Sequence, residues 1–134
     1  MYKRQVPEEY LDDETFAAML TEAEKYLGYP YVWGGSSPAT SFDCSGFVSW
    51  VINHSGWNVG RLGAQGLYNI CTRTSSPRPG DLVFFKGTYD TPGVSHVGIY
   101  VGDGMMIHCG DPISYANLNT SYWQSHFYAY GRLP

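Results

Sequence analysis

The chain has 134 residues, of which 43% are hydrophobic and 16% aromatic, and its formal net charge is −4. This length fits a single compact domain, and the acidic balance argues against binding to nucleic acid. No apolar run approaches the roughly 20 residues that a membrane-spanning helix needs, and no signal peptide is visible, so any signal or anchor is expected upstream. The three cysteines include no CxxC pair, which disfavours a structural zinc site.

Helical patterns dominate the first half of the chain. Residues 1–14 are polar and predict a tail or the remnant of a linker, followed by one folded domain over residues 15–134. Apolar residues at helical spacing predict three helices: one that ends at Gly28, one from Cys44 to about His54, and a short one over residues 62–71.

The hydrophobic period changes to two in the second half, which indicates strands. The tight turn at residues 102–104 joins two of these strands as a hairpin, and residues 72–80 are predicted to be a turn region. Helices followed by antiparallel strands predict an α+β fold in which N-terminal helices pack on an antiparallel sheet. The predicted strands cover residues 82–85, 94–101, 105–109 and about 127–131.

Cys44 stands at the start of the second predicted helix, whose apolar face consists of Phe47, Val48, Val51 and Ile52. A thiol in this position lies among unpaired backbone N–H groups, at the positive end of the helix dipole. Such surroundings favour the thiolate, which is the nucleophilic form of cysteine. Taken alone, the pattern leaves both catalysis and packing open for Cys44.

Two histidines are candidates for the base that a nucleophilic thiol requires. A turn centred on residue 102 places His96 opposite His108 on neighbouring antiparallel strands, as expected for a base and its orienting partner. The alternative is two independent histidines that are satisfied by solvent. A catalytic zinc ion held by Cys44 and both histidines is disfavoured, because no carboxylate or second cysteine stands at ligand spacing.

Five segments together resemble the successive motifs of the NlpC/P60 family, which are papain-like cysteine peptidases that cut bacterial cell-wall peptides. The motifs agree in order and spacing, and the resemblance extends over about residues 16–133. It implies a papain-like fold with the nucleophile at a helix N-terminus. The matching segments are residues 30–35, 42–48, 78–85, 95–104 and 106–108.

The resemblance also implies roles for individual residues. Cys44 would be the nucleophile, His96 the general base and acid, and His108 the residue that orients His96. Tyr31 matches a tyrosine that is thought to assist the oxyanion site. The expected substrate-binding residues are Asp43 and Ser45, at positions that bind the amine of a free N-terminal L-Ala in some members, together with Trp33 and Ser95.

Some positions fit a purely structural role or depart from the family pattern. Asp43 could serve only as a helix N-cap. The loop at residues 36–41 is about one residue longer than in compact members of the family, which could move the edge of the substrate groove. Cys109 directly follows His108 and is expected to point into the core, and Cys71 is also interpreted as a packing residue.

The implied reaction is hydrolysis of the bond between γ-D-glutamate and diaminopimelate or lysine in peptidoglycan stem peptides, without a metal or cofactor. The alternatives are an N-acetylmuramoyl-L-alanine amidase or an acyltransferase that uses the same site, and a non-catalytic module that binds cell walls. The expected setting is extracellular or wall-associated. We expect a monomeric domain within a larger wall hydrolase, such as those of conjugative elements.

Overall fold

A computed structural model describes residues 14–134 of the chain. The predicted tail lies outside these residues, apart from Glu14, which begins the first helix. The three predicted helices are confirmed, although the first ends at Glu24 rather than at Gly28, and a short fourth one was not predicted. The helices are α1 (Glu14–Glu24), α2 (Cys44–Asn53), α3 (Ala64–Ile70) and α4 (Ser121–His126).

The strands are β1 (Ser36–Ser37), β2 (Ser41–Phe42), β3 (Thr72–Thr74), β4 (Leu82–Lys86), β5 (Val94–Gly102), β6 (Met105–Cys109), β7 (Ile113–Asn117) and β8 (Phe127–Arg132). Strands β1 and β2 form a hairpin, and the other six form an antiparallel sheet with the order β3-β8-β4-β5-β6-β7. The four predicted strands correspond to β4, β5, β6 and β8. Strand β3 lies within the predicted turn region and was not predicted. Strand β7 and the hairpin were also not predicted.

The main core lies between the helices and one face of the sheet, which confirms the α+β prediction. Helices α2 and α3 contact β5, and α1 packs on α2. Alternate β5 residues, Val97, Ile99 and Val101, point into this core. The opposite face carries a smaller buried cluster of Val83, Phe85, Met106 and Leu118, against which Trp123 of α4 packs.

The predicted register between β5 and β6 is wrong. Ile99 pairs with Ile107 and Tyr100 with Met106, and the register shifts before Gly102 pairs with Met105. The shift is a bulge with one extra residue on β5, so the strands do not pair symmetrically about residue 102. Extended along the strands, this register sets His108 across from Gly98 rather than His96.

Among residues 14–134, none of the helices combines the length and the apolar character needed to cross a membrane.

Candidate active site

The first turn of α2 is held by a side-chain cap. Asp43 has extended backbone dihedral angles, and its Oδ1 accepts a 2.7 Å hydrogen bond from the backbone N–H of Gly46. Asp43 is therefore the N-cap of α2. A Cβ on Gly46 would collide with the carbonyl oxygen of Gly35, so this turn lies directly against the glycine loop that precedes β1. These contacts fix the position of Cys44 at the start of the helix.

The Cys44 thiol is nearly buried, with 6% of the residue exposed, and Sγ lies 3.8 Å from the carbonyl oxygen of Ser95. Burial raises the pKa of the thiol to about 11, and the Asp43 carboxylate acts in the same direction. The backbone N–H groups of Val97 and Ser45 lower the pKa, but more weakly. Desolvation at this site therefore opposes the effect of the helix terminus that the sequence indicates.

His96 and His108 meet despite the wrong predicted register. Nε2 of His96 and Nδ1 of His108 are 2.9 Å apart, and the two rings are almost perpendicular, at 85°. Gly98 makes room for this contact, because a Cβ there would lie 3.2 Å from Cβ of His108 and 2.6 Å from Sδ of Met106. The two imidazoles are thus linked across the hairpin by one hydrogen bond.

Burial also determines the protonation of the two imidazoles. His96 is 9% exposed and His108 is 6% exposed. Loss of hydration lowers the pKa of His96 to about 3, with a smaller contribution from His108, and lowers the pKa of His108 to about 4. Both rings are therefore neutral at neutral pH, and one donates the proton of the bond that joins them.

Tyr31 and Trp33 approach the thiol from the segment before β1. The backbone N–H of Tyr31 donates to Oδ1 of Asp111 at 3.2 Å. Burial, followed by the proximity of Cys44, raises the pKa of the Tyr31 hydroxyl, which stays protonated and can donate a hydrogen bond. Trp33 is 70% exposed, and its ring meets that of Tyr89 edge-on at 5.3 Å.

Asp43 and Ser45 lie beside the thiol but already have a partner that was not predicted. Nη2 of Arg61 donates to Oδ1 and Oδ2 of Asp43 at 2.8 and 2.9 Å, and Nη1 donates to Oγ of Ser45 at 2.8 Å. The backbone N–H of Gly34 donates to Oδ2 of Asp43 at 3.1 Å. A substrate amine would therefore share Asp43 with Arg61.

The Ser95 hydroxyl is engaged within the protein. Its Oγ accepts from the backbone N–H of Thr88 at 3.0 Å and lies 2.6 Å from Oγ1 of the same residue. Only 2% of Ser95 is exposed. The hydroxyl thus anchors the loop after β4, whereas the Ser95 carbonyl faces Cys44.

Two adjoining cavities of about 370 and 380 Å³ meet at Cys44 and together form one groove. One extends towards Asp43, Ser45 and Arg61, and the other extends towards His96 and His108. All eight residues predicted from the sequence line one or both of them, together with Tyr89. The residues common to both cavities are Tyr31, Trp33, Cys44, Tyr89 and Ser95.

Comparison with known proteins gives this groove a context. Residues 28–132 match the model of the NlpC/P60 family. The chain belongs to the NlpC/P60 family. It is 43% identical over 121 residues to the bifunctional muramidase/DL-endopeptidase CwlT of Bacillus subtilis, a match that covers 88% of this chain and 36% of CwlT. It is 44% identical over 117 residues to the probable endopeptidase p60 of Listeria seeligeri, covering 86% of this chain and 22% of p60.

A solved structure supports the same placement. An NLP/P60 family protein similar to lipoproteins, from Staphylococcus aureus, superimposes with a TM-score of 0.87 at 41% identity, covering 98% of this chain and 45% of that chain. The papain-like NlpC/P60 fold expected from the motifs is therefore confirmed. This NlpC/P60 chain spans only 36% and 22% of the length of the two curated relatives.

Three groove residues of this NlpC/P60 domain were not singled out in the sequence. Arg61 follows a glycine and precedes a short helix, and nothing in that pattern indicates its contact with Asp43, 18 positions earlier. Tyr89 lies in a turn-rich loop. Trp123 belongs to the six-residue helix α4, which is too short to show a helical period.

Proposed function

We propose that this domain is a cysteine endopeptidase, a hydrolase that cleaves the stem peptides of bacterial peptidoglycan. The observation that carries the proposal is the hydrogen-bonded pair His96–His108 in the same groove as Cys44 at the start of α2. This is a nucleophile, a base and an orienting group in one site. The relatives CwlT and p60 are themselves named a DL-endopeptidase and a probable endopeptidase.

The first step is proton transfer from Sγ of Cys44 to His96. Because Nε2 of His96 bonds to His108, Nδ1 is the nitrogen left for the thiol. Burial disfavours a lone thiolate and a lone imidazolium, but the transfer creates both charges together and their attraction offsets that cost. The thiolate adds to the substrate carbonyl, and His96 then protonates the departing amine. Water, deprotonated by His96, hydrolyses the acyl-enzyme.

The oxyanion of the tetrahedral intermediate needs donors that are already in place. The protonated Tyr31 hydroxyl and the backbone N–H of Cys44 are the proposed donors. Donors of this kind contribute about 3–4 kcal/mol each to the stability of the transition state in well-characterised hydrolases.

The proposed bond joins γ-D-glutamate to the L-centre of diaminopimelate or lysine, a D–L junction in agreement with the name of CwlT. Asp43 and Ser45 would contact the part of the stem peptide before this bond, with Arg61 beside them. Trp33 is exposed at the groove and offers an aromatic surface to the peptide. We place the domain within a larger wall hydrolase that acts outside the cell or on the wall, as a monomer.

The test is incubation of the purified protein with disaccharide-free stem peptides, followed by mass spectrometry of the products. We expect an L-Ala-γ-D-Glu fragment from the wild type and intact substrate with Cys44→Ala. Cys71→Ala is the matched control and should retain activity, because Cys71 does not line the groove.

Each alternative has a distinct product. With an N-acetylmuramoyl-peptide as the substrate, release of the intact stem peptide would identify an amidase instead. Transfer of the acyl group to an added amine would identify an acyltransferase. Retention on cell walls without any product, or full activity in Cys44→Ala, would overturn the proposal.

A further inference from the structure

Trp123 contacts both imidazoles of the proposed catalytic pair. Its ring lies nearly parallel to His96, with centroids 5.4 Å apart and 23° between the planes. It meets His108 edge-on, with centroids 5.2 Å apart and planes at 87°. The indole of Trp123, on α4, therefore contacts both members of the hydrogen-bonded pair.

Phe85 of β4 adds to the enclosure of His96. Its ring centroid lies 5.9 Å from that of His96 and 4.7 Å from that of Trp123. Although His96 and His108 line an open groove, they are only 9% and 6% exposed. Aromatic rings therefore shield the hydrogen bond between the imidazoles from solvent.

The position of Trp123 is set by the start of α4. Oγ1 of Thr120 caps the helix and accepts a hydrogen bond from the backbone N–H of Trp123 at 3.4 Å. Nε2 of Gln124 donates to the carbonyl oxygen of Leu118 at 2.8 Å, which ties the helix to the preceding loop. The indole is thus held against the sheet by local contacts that do not involve the groove.

The pKa of His96 depends mainly on how much water reaches its ring, because its cavity holds few charged groups. Among the described residues that line its cavity, none is a carboxylate, a lysine or an arginine. Without a fixed charge at hand, the contact of the ring with water governs its protonation. The titratable groups that face the cavity are Tyr31, Cys44, Tyr89, His108, Cys109 and Tyr122.

We propose that Trp123 is a positioning residue of this peptidase, whose indole fixes the ring plane of His96 and keeps water from the His96–His108 hydrogen bond. The inference rests on the proposed function. A hydrogen bond to His108 that is shielded from water occupies Nε2, which leaves Nδ1 of His96 as the nitrogen available to the thiol. A base kept out of water also stays unprotonated, and therefore active, to lower pH.

The test compares Trp123→Ala with Trp123→Phe. In the alanine variant water reaches His96, so the acidic limb of kcat/KM should move to higher pH, towards the unburied value of 6.5. Loss of ring alignment should lower kcat about 10- to 100-fold with little change in KM. The phenylalanine variant retains an aromatic cover and should restore the limb and most of kcat.

A second measurement does not depend on any substrate. The titration midpoint of the His96 imidazole, followed by ¹H–¹⁵N NMR, should rise in Trp123→Ala and stay near the wild-type value in Trp123→Phe. If stem peptides are not cleaved at all, the proposed function fails, but this titration still tests whether Trp123 shields His96 from water. If the alanine variant does not fold, Trp123→Leu replaces it and should shift the midpoint in the same direction.

Ser125→Ala is the control, since Ser125 is exposed on the same helix and does not line the cavity of His96. It should leave the His96 midpoint unchanged. An unchanged midpoint and acidic limb in a folded Trp123→Ala variant would overturn the inference, even if stability fell. An equal shift in Ser125→Ala would also overturn it, because the effect would then belong to the helix rather than to the indole.

Discussion

Gly98→Ala tests how closely the two strands must approach for the histidines to meet. The added Cβ would lie 2.6 Å from Sδ of Met106 and 3.2 Å from Cβ of His108, whereas ordinary contacts begin near 3.4 Å. The Met106 thioether must therefore move by nearly 1 Å, and His108 by a few tenths of an ångström. Overpacking of this kind costs about 1–3 kcal/mol of unfolding free energy.

The same displacement acts on the proposed catalytic pair. The His96–His108 bond of 2.9 Å has little room to lengthen, because a contact near 3.6 Å is no longer a hydrogen bond. We expect kcat to fall about 10-fold or more, since small misplacements of catalytic groups have large effects on rate. Urea unfolding and steady-state hydrolysis of stem peptides measure the two quantities separately.

Gly66→Ala is the control for the glycine substitution itself. Its Cβ would meet only the side chain of Leu62, at 3.4 Å or more, in the interior of α3. We expect unchanged kcat and a gain of about 0.5–1 kcal/mol in unfolding free energy, because alanine is the better helix former.

Wild-type stability and kcat in Gly98→Ala would refute the reasoning. In the double variant with Met106→Ala, the nearer clash is absent, so any remaining loss of kcat comes from His108.

Two further predictions concern protonation. The free energy of unfolding should fall as pH drops from about 6.5 towards 4. In this range the two histidines bind protons in the unfolded chain but not in the folded one, because folding lowers the pKa of His96 to about 3 and that of His108 to about 4. Each histidine contributes a slope of at most about 1.4 kcal/mol per pH unit, so His108→Gln should flatten the curve measured by urea unfolding, and equal slopes would contradict the reasoning. Arg61→Gln should slow alkylation of Cys44 by iodoacetamide near neutral pH and Asp43→Asn should speed it, because Arg61 lowers and Asp43 raises the pKa of that thiol. Mass spectrometry of the Cys44 peptide gives both rates, and changes in the same direction would show that charge is not the cause.

The sequence predicted the elements that carry the site because their patterns are local. The cap at Asp43, the apolar face of α2 and the alternation in β5 each depend on residues a few positions apart. The pairing of β5 with β6 failed because a bulge between Tyr100 and Gly102 adds a residue that no hydrophobic pattern reveals. The histidines nevertheless meet, since Gly98 lets the His108 side chain reach across the strand.

What the sequence could not predict depends on distant parts of the chain. Arg61 reaches Asp43 from 18 positions away, and Trp123 reaches His96 through a helix of six residues. The pKa of the Cys44 thiol depends on distant residues in a related way. A helix terminus is visible in the sequence, whereas the burial that raises the pKa of the thiol results from the whole packed domain.

The hydrogen bond from the Cys44 thiol to the Ser95 carbonyl joins segments 51 residues apart in the chain. The proposed nucleophile is therefore synthesised well before its proposed base, and the two meet only when α2 has docked on β5. An unfolded chain carries an ordinary thiol that cannot attack a peptide bond. Any route that delivers the polypeptide in an extended form would therefore deliver the proposed active site unassembled, and folding at the destination would complete it.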